Sequence, residues 1–418
     1  MAFDFEDNNY DDYFEDEITI AKYESRGFEF SNDYKTLLKA PKDITDFELP
    51  EYVVSIGPSA FRKCRMLERI ILHDSIQNIE KDAFEYCSAL KTFEIPDSIE
   101  SINLSLLGCT SLSSIRIPDS VKTIKAFNLR DCKSLKEIRL PKALETVRLH
   151  LKGCTSLSSL VIPESVKVIT SLDLGNCTSL EELIFTSVLK VNGRLDLSNT
   201  LITSLPDNLD VGGDLCLSHT SIISLPDNLK VGGRLDLSHT PITLLPDNLK
   251  VRGGLYLSHT PIASLPDNLE VGGRLDLSYT QITSIPDNLN LNRLILSHTP
   301  IKALPNNLCA SSLDLSYTSI TSLPKHLKIE YSLDLSHTPI TSLPNNLSIE
   351  GHLDLSNTLI KVLPNNLKVG RCLNLSNTTI NSLPMNLEVG WNLDLSHTPI
   401  TSLPNSLKVG GRVIGLNE

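Results

Sequence analysis

One 20-residue motif, repeated eleven times, occupies the chain from Leu195 to Arg412. The first copy reads LDLSNTLITSLPDNLDVGGD. The copies begin at Leu195, Leu215, Leu235, Leu255, Leu275, Leu294, Leu313, Leu333, Leu353, Leu373 and Leu393. The period is 20 residues and falls to 19 only for the copies at Leu275 and Leu294. A motif this short cannot bury its own apolar side chains, so the copies must stack against one another as a solenoid.

Each copy has the pattern of one coil of such a solenoid. The alternation in Leu195-Asp196-Leu197 predicts a strand with one buried face. Leu205-Pro206 favours an extended return segment, because proline fixes its own φ and restricts the residue before it. Asp207-Asn208 predicts a turn, and Gly212-Gly213 predicts the corner that leads into the next strand.

This motif resembles the leucine-rich repeat, L-x-x-L-x-L-x-x-N-x-L, in the short bacterial form with an L-P-x-x-L run that is typical of YopM- and IpaH-type effectors. Leu195, Leu197 and Ile202 match the apolar positions of that pattern. The asparagine position of the family holds threonine in all eleven copies, from Thr200 to Thr398. We predict that these hydroxyls bond the neighbouring coil, although less completely than a side-chain amide does.

A second repeat, with a period of 22 or 23 residues, runs from about Leu49 to Leu183. Its clearest copy is IPDSVKTIKAFNLRDCKSLKEI, from Ile117 to Ile138. The pattern resembles the BspA-like, Treponema-type leucine-rich repeat. One cysteine recurs in each copy, at Cys64, Cys87, Cys109, Cys132, Cys154 and Cys177. We predict that these cysteines are small buried side chains in a reducing compartment, and neither disulfides nor zinc ligands.

These patterns predict a leucine-rich repeat solenoid of the α/β superhelix class, with a parallel β-sheet on the concave face and short helical or extended segments on the convex face. The predicted order is an acidic disordered tail (1–25), an N-terminal cap (26–48), BspA-like repeats (49–194) and short repeats with a final half-strand (195–418). The tail interleaves aromatic residues with acids, so it is either a solubilising leader or a short binding motif.

Charge and composition exclude several partners. The net charge is −12, and the first 17 residues contain eight acidic residues and no basic one. This disfavours nucleic acid, which requires a basic surface. The sequence has no run of 18 apolar residues, so we expect no membrane-spanning helix. The acidic N-terminus is unlike a signal peptide, which predicts a cytoplasmic location or export by a route that does not use a standard signal peptide.

The residue between the two strand leucines identifies the candidate binding surface, because it faces the concave sheet. In the short repeats this strand column reads Asp196, Cys216, Asp236, Tyr256, Asp276, Ile295, Asp314, Asp334, Asp354, Asn374 and Asp394. Arg194, Arg234 and Arg274 precede three of these strands and predict local charge pairs. Asp314, Asp334 and Asp354 have no such arginine. They form either a hydrated acidic ladder or a docking surface for a basic segment or cation.

Three further features enter the prediction. Tyr256 and Ile295 interrupt the aspartates with apolar side chains, as a binding surface does. The strand column of the upstream repeats includes Arg116 and Arg139 among mixed neighbours and is an equally good contact zone. A second column holds His219, His239, His259, His298, His337 and His397. We interpret these histidines as copied with the repeat rather than as metal ligands, and expect stacked imidazolium ions to repel below about pH 6.

The sequence contains no catalytic constellation. Ser-His pairs such as Ser218-His219 recur without a third orienting group, and no phosphate loop or dinucleotide fingerprint occurs. We therefore predict a monomeric, non-catalytic scaffold without a cofactor that binds another protein on its concave face. The alternatives are a host-directed bacterial effector or surface adhesin, or the recognition part of a ubiquitin-ligase-type effector without its catalytic domain.

Overall fold

The computed structural model describes residues 20–185, 190–287, 289–325, 327–345 and 347–416. It divides into two compact units, one of Met1–Asn192 and Asn199–Leu201, the other of Gly193–Ser198 and Ile202–Glu418. Of the predicted acidic tail, residues 1–19 lie outside the described residues, and residues 20–25 are helical. In the described part of the chain no helix has the length and apolarity that a bilayer crossing requires.

The first unit begins with an antiparallel hairpin inside the segment predicted as a cap. β1 (Glu29–Phe30) pairs with β2 (Thr36–Lys39). Beneath the hairpin, the rings of Phe28 and Phe47 stack with centroids 4.7 Å apart, and Phe47 lies 5.7 Å from Phe61 of the next coil. Aromatic packing therefore connects the cap to the repeats.

Most of the following coils of the first unit contribute short parallel strands to two rows. The strands are β3 (Asp46–Glu48), β4 (Ser55–Ile56), β5 (Arg69–Ile71), β6 (Asn78–Ile79), β7 (Thr92–Glu94), β8 (Ser101–Ser105), β9 (Ser114–Arg116), β10 (Thr123–Asn128), β11 (Thr146–His150), β12 (Ser159–Ile162), β13 (Val168–Asp173), β14 (Glu182–Phe185) and β15 (Lys190–Val191). One row contains the pairs β3–β5, β7–β9 and β12–β14, and the other contains β8, β10, β11 and β13 as successive neighbours.

The cysteines of the first unit are buried, as predicted, and all nine cysteines of the chain are free thiols. The thiols have a role that the sequence did not indicate. Cys87 Sγ donates to the Phe61 carbonyl at 3.1 Å, and Cys109 Sγ donates to the Phe84 carbonyl at 3.3 Å. Each thiol thus bonds the preceding coil. Burial raises the pKa of Cys109 to about 12, which keeps the donor protonated.

The second unit is a stack of short parallel strands in register. Leu195, Leu215, Leu235 and Leu255 pair in sequence, and all four are buried. The strands are β16 (Leu195–Asp196), β17 (Asp210–Val211), β18 (Leu215–Cys216), β19 (Lys230–Val231), β20 (Leu235–Asp236), β21 (Lys250–Val251), β22 (Leu255–Tyr256), β23 (Glu270–Val271), β24 (Arg274–Asp276), β25 (Asn290–Ile295), β26 (Cys309–Asp314), β27 (Lys328–Asp334), β28 (Ser348–Ile349), β29 (Leu353–Asp354), β30 (Lys368–Val369), β31 (Leu373–Asn374), β32 (Glu388–Val389), β33 (Leu393–Asp394), β34 (Lys408–Val409) and β35 (Val413–Ile414).

Glycine at the corner separates two strands in most of these coils. A Cβ on Gly232 would lie 2.3 Å from the Gly212 carbonyl oxygen, so this close approach of adjacent coils favours glycine. β25, β26 and β27 lack that glycine, and each runs without a break through the corner. Among the described residues of this unit, the return segments between strands contain no helix. The predicted leucine-rich repeat solenoid of parallel strands is therefore confirmed.

The prediction for the threonine column is wrong. Thr220 Oγ1 donates to the Leu217 carbonyl of its own coil at 2.7 Å. The same bond recurs at Thr240, Thr260, Thr280, Thr299, Thr318, Thr338, Thr358, Thr378 and Thr398. The cause is the preceding residue, exemplified by His219 with φ of 57°, which turns the chain back on itself. These hydroxyls close the turn after the strand.

A candidate protein-binding surface on the strands of the second unit

Asp314, Asp334 and Asp354, here called the aspartate column, lie side by side on β26, β27 and β29. Asp314 pairs in register with Asp334, and Asp334 with Asp354. Neighbouring strands are about 5 Å apart, so the three half-buried carboxylates form the row predicted from the sequence. In the described part of the chain none of the three forms an ion pair.

Each carboxylate also closes a local turn. Asp314 Oδ1 accepts hydrogen bonds from the backbone N–H of Ser316 at 3.0 Å and from its hydroxyl at 2.7 Å. Asp334 accepts the N–H of Ser336 at 2.9 Å. Asn374 holds the equivalent place on β31 and accepts the Ser376 N–H at 3.0 Å, so an amide performs the same structural role without charge. The turn requires the oxygen and does not require the charge.

The three carboxylates of the aspartate column repel one another, and the effect is clearest at the central residue, Asp334. Burial raises the pKa of Asp334, the Ser336 hydrogen bonds oppose that shift, and the neighbouring Asp314 and Asp354 carboxylates raise it further. Like charges on directly opposed strand positions destabilise a sheet. A cation bound along the row would therefore relieve a repulsion that the free protein contains.

Arginine pairs with two of the three aspartates of the strand column for which a charge pair was predicted. Arg194 pairs with Asp196 at 2.5 Å and Arg274 with Asp276 at 2.6 Å, as predicted. Arg234 does not form the predicted pair with Asp236. Its Nη2 lies 3.8 Å from Cys216 Sγ, and its guanidinium lies over a tyrosine ring in the next coil. Spacing along the sequence placed Arg234 beside Asp236, but its contacts are with the adjacent coils.

Tyr256 is held between two guanidinium groups. Arg234 and Arg274 lie 5.4 and 5.3 Å from the centroid of its ring. The ring leans over Gly254, which replaces the arginine found at this position in the flanking coils: a Cβ there would be 2.9 Å from Tyr256 Cε2. Two guanidinium groups therefore lie against this half-buried ring, and a partner that contacts Tyr256 would meet them as well.

The other predicted contact residues differ in what they present. Ile295 is only 5% exposed, because it packs between the strands that flank it, and it offers a partner almost no surface. Arg116 ends β9 and pairs with Asp97 at 2.7 Å. Arg139 lies outside a strand and pairs with Glu137 at 3.2 Å. Both pairs are exposed and easily opened by a ligand. The structure brings Asp314, Asp334 and Asp354 together, and Arg116 and Arg139 lie in the other unit.

The histidine column is part of a continuous stack of rings. Its members, here called the ring column, are His219, His239, His259, Tyr279, His298, Tyr317 and His337. Adjacent centroids are 4.2–4.4 Å apart with ring planes within 10–11°. The sequence pattern did not reveal the two tyrosines, although both stand at the histidine position of the repeat. Among the described residues no cluster of three or more His, Cys, Asp or Glu is arranged to hold a metal ion.

A family comparison accounts for the upstream coils. Residues 37–151 and 148–235 match the family model described as BspA type leucine rich repeat region, in six copies. The chain is a leucine-rich repeat protein. The match runs past the change of period into the first short repeats, so both kinds of coil fall within it.

Solved leucine-rich repeat structures resemble the chain at low identity. YopM from Yersinia enterocolitica WA-314 is 21% identical over 88% of this chain and 91% of its own, with a TM-score of 0.39. The T. pallidum leucine-rich repeat protein is 23% identical over 46% of this chain and 85% of its own, with a TM-score of 0.33. A leucine-rich repeat protein from Bacteroides ovatus ATCC 8483 is 17% identical over 93% and 97%, with a TM-score of 0.36. No curated protein matches the chain.

Proposed function

We propose that this leucine-rich repeat protein is a non-catalytic scaffold that binds a partner protein, and that the aspartate column contacts a basic segment of that partner. A stack of coils presents many side chains on a rigid frame, so binding loses little conformational entropy. The observation that carries the proposal is the row of three carboxylates on adjacent strands with no ion pair among the described residues.

Regular repetition does not explain why this row lacks cations. Asp196 and Asp276 occupy the same strand position, are buried, and each pairs with an arginine. At Asp314 and Asp334 serine replaces that arginine, which leaves the carboxylates half-exposed and mutually repelling. A lysine- or arginine-containing segment would supply the missing cations, and charge complementarity of this kind determines the choice of partner and the association rate more than the affinity.

The test is a variant in which Asp314, Asp334 and Asp354 are all changed to Asn. Asn374 shows that the position accepts an amide and keeps its turn hydrogen bond, so the fold should be retained. Immobilised wild-type protein and variant are exposed to the same cell extract, and bound proteins are quantified by mass spectrometry. We expect the partners recovered with wild type to be lost from the variant.

The matched control changes Asp207, Asp227 and Asp247 to Asn. These exposed turn residues lie on the return segments, and later copies have asparagine there, as at Asn306. The control alters the net charge by the same amount away from the strands. Equal recovery of partners by wild type and the strand variant would refute the proposal, as would equal loss from both variants.

A further inference from the structure

Three large side chains of the second unit occupy a backbone position that is otherwise mostly glycine. This glycine column lies two residues before the first strand leucine and contains Gly213, Gly233, Gly253, Gly273, Gly351 and Gly411. Tyr331, Arg371 and Trp391 replace it. They remain in the same backbone ladder, in which the Arg371 N–H donates to the Gly351 carbonyl at 3.0 Å and the Trp391 N–H to the Arg371 carbonyl at 3.0 Å.

Core packing does not account for these side chains. A Cβ on Gly213 or Gly253 would lie 2.7 Å from the backbone of the preceding coil, so the position favours glycine. Tyr331 is nevertheless 41% exposed and Trp391 56% exposed. Large aromatic side chains that face solvent, at a position where the repeat prefers no side chain, are typical of binding anchors.

One of the two rings already binds an arginine of this chain. The Arg371 guanidinium lies 5.2 Å from the Tyr331 ring centroid, across Gly351, whose missing side chain leaves room for the contact. Tyr256 has the same kind of contact with Arg234 and Arg274. Among the described residues no cation lies over Trp391. Arginine thus lies on two aromatic rings of this unit, Tyr256 and Tyr331, and of the two rings in the glycine column Trp391 is the one with no cation over it among the described residues.

One carboxylate lies on the Trp391 coil, and two others lie on the coil two before it. Asp354 and Asp394 flank Asn374 in register, and Asp394 is the strand residue of the Trp391 coil. Glu350 is exposed at the glycine corner of the Asp354 coil. The nearest cation of the glycine column, Arg371, is held on Tyr331. A guanidinium can contact an aromatic ring and a carboxylate at once, because it stacks on the ring face while its N–H groups bond the carboxylate. A lysine ammonium is a strongly hydrated point charge and stacks less well.

We propose that Trp391, together with Asp394 of the same coil, binds an arginine side chain of the partner. The proposal rests on the proposed function and sharpens it: the basic segment that follows the aspartate column contains an arginine that stacks on Trp391. Lysine at that place would bind more weakly, because it forms the charge pairs but a poorer stack.

Trp391 is the only tryptophan of the chain, so its fluorescence reports on this site in the intact protein. The probes are end-capped hexa-arginine and hexa-lysine peptides, titrated into the full chain. We expect hexa-arginine to change the tryptophan emission saturably and to bind about three- to fivefold more tightly than hexa-lysine, the ratio that an exposed cation–π contact supplies. Higher salt should weaken both peptides.

The deciding variant is Trp391→Gly, which restores the residue that the repeat has at Gly351 and Gly411, and its binding is measured by calorimetry. Loss of the preference for arginine, with lysine binding unchanged, is the expected result. Two peptides that bind equally well to wild type, or a preference that survives in the variant, would overturn the inference and leave the proposed function intact. Failure of both peptides to bind wild type would overturn the inference and the basic-segment proposal together.

Discussion

At the residue scale, Gly254 and Tyr256 replace the arginine and the aspartate that the flanking coils have at these two positions, and the two replacements depend on each other. Changing Gly254 to Arg places a Cβ 2.9 Å from the tyrosine ring and should destabilise the second unit by about 1–3 kcal/mol. Changing Tyr256 to Asp removes the ring from between Arg234 and Arg274 and should cost about 1–2 kcal/mol. The double variant recreates the arrangement of Arg194 and Asp196, so its loss should be smaller than the sum of the two.

Chemical denaturation of wild type, both single variants and the double variant gives the coupling directly. Gly254→Ala is the control that adds only the colliding carbon. Additive losses would show that glycine and tyrosine are independent substitutions.

The sequence was a good guide to residues whose neighbours are set by period alone. The leucines and the aspartates of the strand column lie where alternation predicts, because a strand has only two faces. The sequence-based predictions were wrong where a backbone angle or a residue of an adjacent coil determines which group a side chain contacts. The threonine hydroxyls bond their own coil because the residue before them has a positive φ. Arg234 contacts Cys216 and Tyr256, which lie 18 residues before it and 22 after it. Neither fact is visible in the spacing of one copy.

At the scale of the element, the ring column combines a conformational cost with stacking. Tyr279 and Tyr317 have φ of 58° and 56°, a region that asparagine and histidine tolerate better than tyrosine. Ring contacts with both neighbours offset that cost. The sequence predicted a histidine column from identity alone. Tyr279 and Tyr317 belong to the same column because a phenol ring stacks on its neighbours as an imidazole ring does. Tyrosine and histidine share this ring packing but not the ability of histidine to bind metals, so the metal-ligand pattern left the tyrosines out.

The ring column also makes stability depend on pH. Burial lowers the pKa of His239 below 6.5, and the His219 and His259 rings lower it further, while Asp236 opposes the shift. The three histidines occupy consecutive coils, and no tyrosine separates them. The folded state therefore binds fewer protons than the unfolded state as the pH falls through about 6.5. The stability present above that pH should be lost below it.

The test is His239→Tyr, which keeps a stacked ring, as at Tyr279, and removes the titrating group. Thermal unfolding of wild type and variant at about pH 8 and about pH 5 compares the two losses. We expect a smaller acid-induced fall in the unfolding midpoint for the variant. His397→Tyr is the control, since the preceding coil has Asn377 at this position and His397 has no ring partner among the described residues. Equal falls for wild type and His239→Tyr would show that the stack does not control the acid response.

At the scale of the whole molecule, repetition determines the architecture and departures from it mark the candidate sites. Period and alternation were sufficient to predict stacked coils, because the strand leucines of successive copies pair in register, as Leu195, Leu215, Leu235 and Leu255 do. They were not sufficient to find Tyr331, Arg371 and Trp391. Each of these residues replaces a corner glycine and leaves the spacing of the leucines unchanged, so the repeat pattern does not single it out. In the structure, two of the residues that replace this glycine present exposed aromatic rings, and Arg371 lies over one of them.

A stack in which coils contact only their neighbours should tolerate the loss of one coil. Deleting residues 255–274 joins Gly254 to Leu275, keeps the 20-residue register and removes Tyr256 with its arginine contacts. The shortened protein should fold with a strand-rich circular dichroism spectrum and a lower unfolding midpoint, because one set of inter-coil contacts is missing. Deleting only residues 265–274 removes half a coil, so leucines would face solvent and the protein should aggregate or unfold. If both deletions behave alike, in-register pairing between coils is not what holds this unit together.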